Sequence, residues 1–174
     1  MLLKIVQVGD PVLRAGTRPL QPEEVGSAEI QRLIESMRET VRDAPGVGLA
    51  APQIGLRLRL AVIEDSVEDP SLERRPVPFH VIINPVLTLG SEMVDEVEGC
   101  LSLDGFRAKV RRARSARVEA LDHAGKSVTI DATGWYARIL QHEIDHLDGH
   151  LYIDRMDTRS FSTVQNWVRS HPAR

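Results

Sequence analysis

The chain has 174 residues, of which 42% are hydrophobic and 27% charged, and these values suit a single globular domain over residues 1–174. No apolar run approaches the roughly 20 residues of a membrane-spanning helix, which excludes that class of protein. The net charge of −3 excludes a chain-wide basic surface for nucleic acid, and the single cysteine excludes an internal disulfide and suits a reducing compartment.

The first predicted helix covers residues 27–44. Apolar side chains recur along it at helical spacing and charged side chains fall on the opposite side, which is the pattern of a helix packed on a core. Ser27 is a suitable N-cap, because its hydroxyl can accept a backbone hydrogen bond. The apolar positions are Ile30, Leu33, Ile34, Met37 and Val41.

Short strands and turns are predicted between the first helix and residue 132. Residues 45–55 are predicted to form a loop, because they include three glycines and two prolines, yet they are strongly apolar. A polar loop is predicted at residues 67–78 and a turn-rich segment at residues 98–106. Strands are predicted at residues 58–64, 80–85, 93–99, 117–122 and 127–132, and a short hairpin turn joins the last two.

A second major helix is predicted over residues 134–148, with Thr133 as its N-cap and Gly149 as its end. Apolar side chains fall on two of its faces, so it should be buried on both. Residues 158–170 are amphipathic and predict a last helix. Many short strands between an early and a late helix indicate an α+β fold, with mixed or antiparallel sheets packed around the buried second helix.

An arginine-rich stretch at residues 111–117 has two interpretations. The simpler one is a solvated strand or loop, because runs of charge usually lie on the surface of a protein. The alternative is a contact with RNA or with an acidic partner. The sequence alone favours the simpler interpretation and leaves the other open.

The second major helix carries the pattern H-E-x-x-H. His142 and His146 are four residues apart, so on a helix they share a face and can bind one metal ion. Glu143 stands beside that position, where a carboxylate can move protons. Buried histidines and a buried glutamate need polar partners, and a metal ion would satisfy them. Catalytic metal sites usually have three protein ligands, so a third is expected.

The third ligand does not lie where a zinc protease would have it. One protease motif requires a histidine six positions after His146, but Tyr152 stands there, and no glutamate follows Glu143. Two aspartates further along are poor matches. Upstream, Cys100 follows a glycine at the end of a predicted strand, and its thiolate could complete a Cys-His-His site with an open fourth position.

Three motifs resemble the signatures of the peptide deformylase family. They are GVGLAAPQ at residues 46–53, EGCLS at residues 98–102 and QHEIDHLDG at residues 141–149, in this order. GDPVLR near the start, INP at the end of a strand and DGFRA after the cysteine extend the resemblance over essentially the whole chain. The sequence around the second major helix most resembles the branch with mitochondrial and plant-organelle members.

The resemblance implies a hydrolase that removes the N-formyl group from the initiator methionine of new polypeptides. It implies one divalent metal ion per chain, usually iron(II), with zinc, nickel or cobalt in purified protein. Glu143 would act as general base and then as general acid. Gln53 and the backbone N–H of Leu101 would hold the developing oxyanion. The metal ligands would be Cys100, His142 and His146.

Substrate contacts are expected around the glycine-rich loop. Its glycines let an extended peptide approach the backbone closely, so the peptide could bind as an added strand. Apolar side chains, that of Leu101 among them, could line a methionine pocket, with plain core packing as the alternative. Arg107 could contact the exposed end of the substrate, or it could be an ordinary surface residue. The predicted substrate contacts are Gly46, Val47, Gly48, Gly99, Arg107 and Ile139.

The expected partners are N-formylmethionyl nascent peptides, with transient proximity to the ribosome and no specific nucleic acid or membrane. The N-terminus resembles neither a signal peptide nor a transit peptide, so we expect a cytoplasmic, bacterial-type enzyme, with a processed organelle form as the alternative. Two other functions remain. One is a metallopeptidase, but this sequence lacks the downstream metal ligand that such an enzyme requires. The other is a binding module without catalytic activity, and the presence of both Glu143 and Gln53 argues against it.

Overall fold

The structure, a computed structural model, describes residues 1–171. Within that range it has four α-helices and eight strands, and the ladders between the strands are antiparallel. This confirms the predicted α+β class. The helices are α1 (Pro22–Val25), α2 (Ala28–Asp43), α3 (Gly134–Leu147) and α4 (Val164–Ser170). The strands are β1 (Gly48–Ala50), β2 (Leu60–Asp65), β3 (Val77–Leu89), β4 (Met93–Cys100), β5 (Leu103–Ala113), β6 (Ser115–Leu121), β7 (Ser127–Thr133) and β8 (Ser162–Thr163).

The strands form two sheets with α3 packed against them. One sheet has the order β1-β2-β3-β6-β7 and the other the order β4-β5-β8. Ten of the fourteen residues of α3 are buried, which agrees with the prediction of a helix covered on two faces. Apolar side chains of α3, such as Leu140 and Ile144, belong to the same core cluster as Ile63, Ile82 and Val118 of the larger sheet.

Helix α2 follows the predicted amphipathic pattern closely. The Ser27 hydroxyl accepts a hydrogen bond from the N–H of Ile30 and so caps the first turn. Its buried stripe packs on the other side of the larger sheet, against residues such as Leu60 and Val62. Leu33, which the pattern placed in the stripe, is only partly buried at its edge.

The predicted loop at residues 45–55 is more ordered than its composition suggests. Residues Gly48–Ala50 form β1, which pairs with β2, and residues Ala51–Ile54 form a 3-10 turn. The turn ends at Gly55, whose φ of 82° is in the left-handed region that favours glycine. Strand β1 thereby places the glycine-rich motif at an edge of the larger sheet.

The segment at residues 98–106, predicted to be rich in turns, has one two-residue turn at Leu101 and Ser102. Strand β5 begins directly after it. The ladder between β4 and β5 is irregular here, because Glu98 pairs with Ala108 whereas Cys100 pairs with Leu103. This bulge ends β4 at the predicted metal ligand Cys100 and leaves part of β5 to pair with β8.

The last predicted helix is shorter than expected. Residues Thr158–Ser160 form a 3-10 turn, β8 follows, and only Val164–Ser170 are α-helical. Asp157 and Thr163 each accept a backbone hydrogen bond and so each begin a separate turn, and β8 between these turns pairs with β5 instead of continuing a helix. None of the helices in residues 1–171 is long and apolar enough to cross a membrane.

Candidate active site

The structure brings together the three residues predicted to bind a metal. Cys100 ends β4, and His142 and His146 share a face of α3. Their ligand atoms all lie within 4.8 Å of one another, and Cys100 Sγ is 3.3 Å from His146 Nε2. One thiolate and two imidazoles form a donor set that suits zinc and iron(II). The three residues therefore fit a divalent metal ion.

Glu98 orients the first of these histidines. Its Oε2 lies 2.9 Å from Nδ1 of His142, so the imidazole Nε2 is left for a metal. Glu98 and Cys100 are two residues apart on β4 and so point to the same side of the strand. This role of Glu98 was not predicted from the sequence. The two-residue spacing from Cys100 was the available signal, but it cannot identify the histidine as the partner.

Two buried arginines hold the Glu98 carboxylate. Arg112 on β5 donates from Nε at 2.6 Å and from Nη2 at 3.0 Å, and Arg138 on α3 donates from Nη1 at 2.6 Å. Burial by itself raises the pKa of Glu98. The hydrogen bond with His142 and the charge of Arg112 outweigh it, so the net pKa lies well below the usual range. Glu98 is therefore a carboxylate anion.

Arg112 also changes the interpretation of the arginine-rich stretch. Its side chain is 3% exposed and makes a second ion pair, with Asp145 of α3 at 2.7 Å. The interpretation of residues 111–117 as a solvated stretch is therefore wrong for Arg112. It holds for Arg114 and Arg117, whose exposed side chains pair with nearby carboxylates. Alternation along β5 places Arg112 inside, because every second side chain faces the core.

The carboxylate of Glu143 is buried against strand β1. A β-carbon at Gly48 would lie 2.2 Å from Glu143 Oε1, so only glycine leaves room for this side chain. Within residues 1–171, Oε2 of Glu143 has no hydrogen-bond partner. Burial raises the pKa of Glu143 to about 7, although the charges of His142 and Arg112 oppose the rise. The group can therefore take up and release a proton near neutral pH.

The protonation of the two histidines follows from their surroundings. Burial lowers the pKa of His146, which keeps its ring neutral, the form that binds a metal. At His142 burial also opposes a proton, but contacts with Cys100 and Glu98 raise the pKa overall. A metal bound at Nε2 competes with that proton, because a ring nitrogen cannot hold both.

The side chain of Gln53 is fixed at one end and free to donate at the other. Its Oε1 accepts a hydrogen bond at 2.8 Å from the N–H of Ala50, the residue that precedes the 3-10 turn. Its Nε2 then lies 3.6 Å from Cys100 Sγ. The side chain is 1% exposed, so a donor held this way faces the metal ligands and not bulk water.

Gly48, which lies against Glu143, was described above, and the other five predicted substrate contacts fall into three structural settings. Ile139 is 4% exposed in the core cluster of α3, and Val47 packs against that cluster, which favours the packing alternative. Gly46 lies against the side chain of Leu101, where a β-carbon would approach Cδ1 to 2.8 Å. Gly99 and Arg107 lie at the bulge between β4 and β5. Gly99 faces the carbonyl of residue 106, and Arg107 pairs with β8.

Comparison with known proteins agrees with this geometry. Residues 2–162 match the family model described as polypeptide deformylase. The chloroplastic peptide deformylase 1A of Solanum lycopersicum is 51% identical over 172 residues, which cover 93% of this chain and 62% of that protein. The mitochondrial peptide deformylase of Homo sapiens is 40% identical over 95% of this chain and 72% of that protein.

The fold agrees with a solved structure as well. The class I type b peptide deformylase from Acinetobacter baumannii, with Met-Ala-Ser bound, gives a TM-score of 0.85 at 31% identity, over 90% of this chain and 99% of that one. The chain spans less than two thirds of the length of the plant relatives that it matches. Because the family model covers most of its length and these relatives share its sequence and fold, the chain belongs to the peptide deformylase family.

Proposed function

We propose that this protein removes the N-formyl group from the initiator methionine of nascent polypeptides. Formyl-Met-peptide and water would give formate and a peptide with a free methionine amine. The observation that carries the proposal is the cluster of Cys100, His142 and His146 with its ligand atoms within 4.8 Å, beside the buried Glu143. Family membership supports the same reaction.

We infer that Cys100, His142 and His146 hold one divalent metal ion per chain. The family resemblance favours iron(II), and the same ligands accept zinc, nickel or cobalt. The ion, when bound, would acidify water and polarise the formyl carbonyl. The unpartnered Oε2 of Glu143 and the Nε2 of Gln53 beside Cys100 fit a reaction at this position.

Glu143 would move the proton in the reaction. Its Oε2 takes a proton from the attacking water and passes it to the methionine nitrogen as the C–N bond breaks. A base works best when its pKa is near the operating pH, and burial brings the pKa of Glu143 to about 7. The missing side chain at Gly48 leaves the space that the Glu143 carboxylate occupies.

Gln53 and Leu101 would stabilise the developing negative charge. The Nε2 of Gln53 is pre-oriented by the hydrogen bond that its Oε1 accepts, so it need not reorganise during the reaction. The backbone N–H of Leu101 follows Cys100 directly in the turn between β4 and β5 and would be the second donor.

The substrate would bind along the edge strand β1. This strand lies at the edge of its sheet, so the side that faces away from β2 can pair with an extended peptide. The peptide would pass the backbone of Gly46, Val47 and Gly48, with Gly99 across from them. The methionine side chain would contact the exposed edge of Ile139 on α3, although most of that residue packs in the core, and the far end of the peptide would reach Arg107.

We further propose that the substrates are formylated chains close to the ribosome, in a bacterial-type cytoplasm or in an organelle. Relatives with bacterial, chloroplastic and mitochondrial names are all similar to this chain. No specific contact with nucleic acid or membrane is required for the reaction. The exposed arginines at 114 and 117 already have carboxylate partners.

The test is deformylation of formyl-Met-Ala-Ser by protein purified without air, with release of formate and metal content measured on one sample. Acetyl-Met-Ala-Ser is the matched control, because it differs only in a methyl group beside the carbonyl. We expect rapid release of formate and little hydrolysis of the acetyl peptide. Equal rates on both would indicate a general amidohydrolase, and no release by metal-loaded protein would refute the proposal.

A further inference from the structure

A short N-terminal segment, Val6–Val8, joins the two loops that carry the proposed oxyanion donors. The N–H of Val6 donates to the carbonyl of Gln53 at 2.9 Å, and the N–H of Val8 donates to the carbonyl of Ser102 at 2.7 Å. Between them, the Gln7 side chain donates from Nε2 to the carbonyl of Leu101 at 2.9 Å. Three consecutive residues thus hold the loop of Gln53 and the turn after Cys100 together.

The turn after Cys100 needs support from outside. Two-residue connections between antiparallel strands favour turn types with positive φ. Neither Leu101 nor Ser102 has a positive φ. Gln7 spans this turn with both ends of its amide, because its Oε1 also accepts a hydrogen bond from the N–H of Asp104 at 3.2 Å. The side chain therefore braces a backbone conformation that the turn does not prefer by itself.

The peptide unit between Leu101 and Ser102 connects Gln7 to the metal ligand. Its carbonyl accepts the hydrogen bond from Gln7, and its N–H, that of Ser102, donates to Cys100 Sγ at 3.4 Å. An amide whose carbonyl is hydrogen-bonded is a stronger N–H donor, because hydrogen bonds in a chain polarise one another. Hydrogen bonds to a ligand sulfur alter the properties of the metal that it binds.

We propose that Gln7 is a positioning residue for this site. It fixes the plane of the Leu101–Ser102 peptide and thereby the hydrogen bond from Ser102 to the Cys100 thiolate, and it restrains the turn that carries the Leu101 N–H. The proposal rests on the proposed function for the roles of the metal and of Leu101. Gln7 is exposed and, within residues 1–171, acts through backbone groups and not through a contact with the three ligands.

Two variants of Gln7 separate its hydrogen bonds. Gln7→Ala removes both, whereas Gln7→Glu keeps an acceptor for Asp104 and replaces the donor to Leu101 by an oxygen that repels the carbonyl. Gln31→Ala is the matched control, because the Gln31 amide also donates to two backbone carbonyls, those of Val25 and His123. Gln31 lies on α2 and takes no part in the site.

The readouts are the thiolate-to-cobalt absorption band of the cobalt(II)-loaded protein and the kinetics on formyl-Met-Ala-Ser. For both Gln7 variants we expect the band at longer wavelength, since the Ser102 N–H then donates more weakly and stabilises the sulfur electrons less. We expect kcat to fall about tenfold, which is the usual loss when a residue that supports a metal ligand is substituted. KM should change little. Gln31→Ala should change neither.

An unchanged band and kcat in Gln7→Ala would overturn the proposal. So would equal changes in Gln31→Ala, because a general loss of stability would then account for them. The cobalt band keeps this test separate from the proposed function. If the wild-type protein did not release formate, the assignment of the reaction would fail, while the band would still decide whether Gln7 controls the hydrogen bond to Cys100.

Discussion

Glu143 combines a buried carboxylate with one oxygen that has no partner in residues 1–171. We predict that Glu143→Gln keeps its metal but loses on the order of 10²–10⁴ in rate, the usual contribution of a general base. Glutamine has nearly the same shape as glutamate and keeps the packing against Gly48, so a loss of rate would not come from a cavity. Metal content, melting temperature and kcat are the measurements. Near-normal turnover would rule out Glu143 as the base, and loss of metal would make it a ligand.

Gly48 on β1 leaves the space that the carboxylate of Glu143 occupies. Gly48→Ala would place a β-carbon 2.2 Å from Glu143 Oε1, so the carboxylate must move. We predict a fall in kcat of up to about 10²-fold, the scale of a displacement near 1 Å at a reacting group. Gly26→Ala is the control, because no atom lies within 4 Å of its β-carbon and its φ is −82°. Equal kinetics in the two variants would contradict this role.

At the scale of elements, Arg138 ties α3 to the smaller sheet. It donates to Glu98 and to the backbone carbonyls of Val94 and Val110. We predict that Arg138→Met lowers the free energy of unfolding by about 3–5 kcal/mol, as when one partner of a buried ion pair is removed. It should also weaken metal affinity about 10–100-fold, because Glu98 loses part of its anchorage beside His142.

The control for Arg138 is Arg74→Met, which breaks a pair with the buried Asp65 that does not include Glu98. Denaturant unfolding and competition with a chelator measure the two effects. Both variants should lose stability, but only Arg138→Met should lose metal affinity. Equal metal affinity in both would show that Arg138 has a purely structural role.

The sequence predicted elements best where one local pattern decided them. The stripe of α2 and the hydroxyl of Ser27 define that helix almost to the residue. Residues 158–170 were mispredicted as one helix, because pairing of β8 with β5 joins residues more than fifty positions apart. The bulge that ends β4 at Cys100 was not foreseen either. It is an irregularity in the pairing of β4 with β5, which no local sequence pattern marks.

The same division applies to the site. His142 and His146 are close in sequence, so helical geometry alone pairs them. Glu98, Arg112 and Arg138 come from two strands and a helix, and only the folded chain brings them together. Gln7 is farther still, since its hydrogen bond to Leu101 spans 94 positions. The resemblance supplied the roles of Cys100, Gln53 and Leu101, which spacing alone leaves open.

For the whole molecule, a metal at this site would join two separate parts of the fold. Cys100 comes from the smaller sheet and the histidines from the helix packed on the larger one. We predict that removal of the metal by a chelator lowers the melting temperature and that added metal restores it. A ligand at 100 times its dissociation constant stabilises a protein by about 2.7 kcal/mol. An unchanged melting temperature after proven loss of metal would contradict this prediction.

The shared carboxylate of Glu98 has a consequence for how such a protein can change over evolutionary time. Arg112, Arg138 and His142 all bond to it, and Arg112 also bonds to Asp145. Loss of any one member leaves buried charge unmatched, so single replacements here are costly whichever comes first. Substitutions at these positions are expected to be strongly non-additive. Related proteins should therefore either keep all of these residues or replace them together, so substitutions at these positions should be correlated.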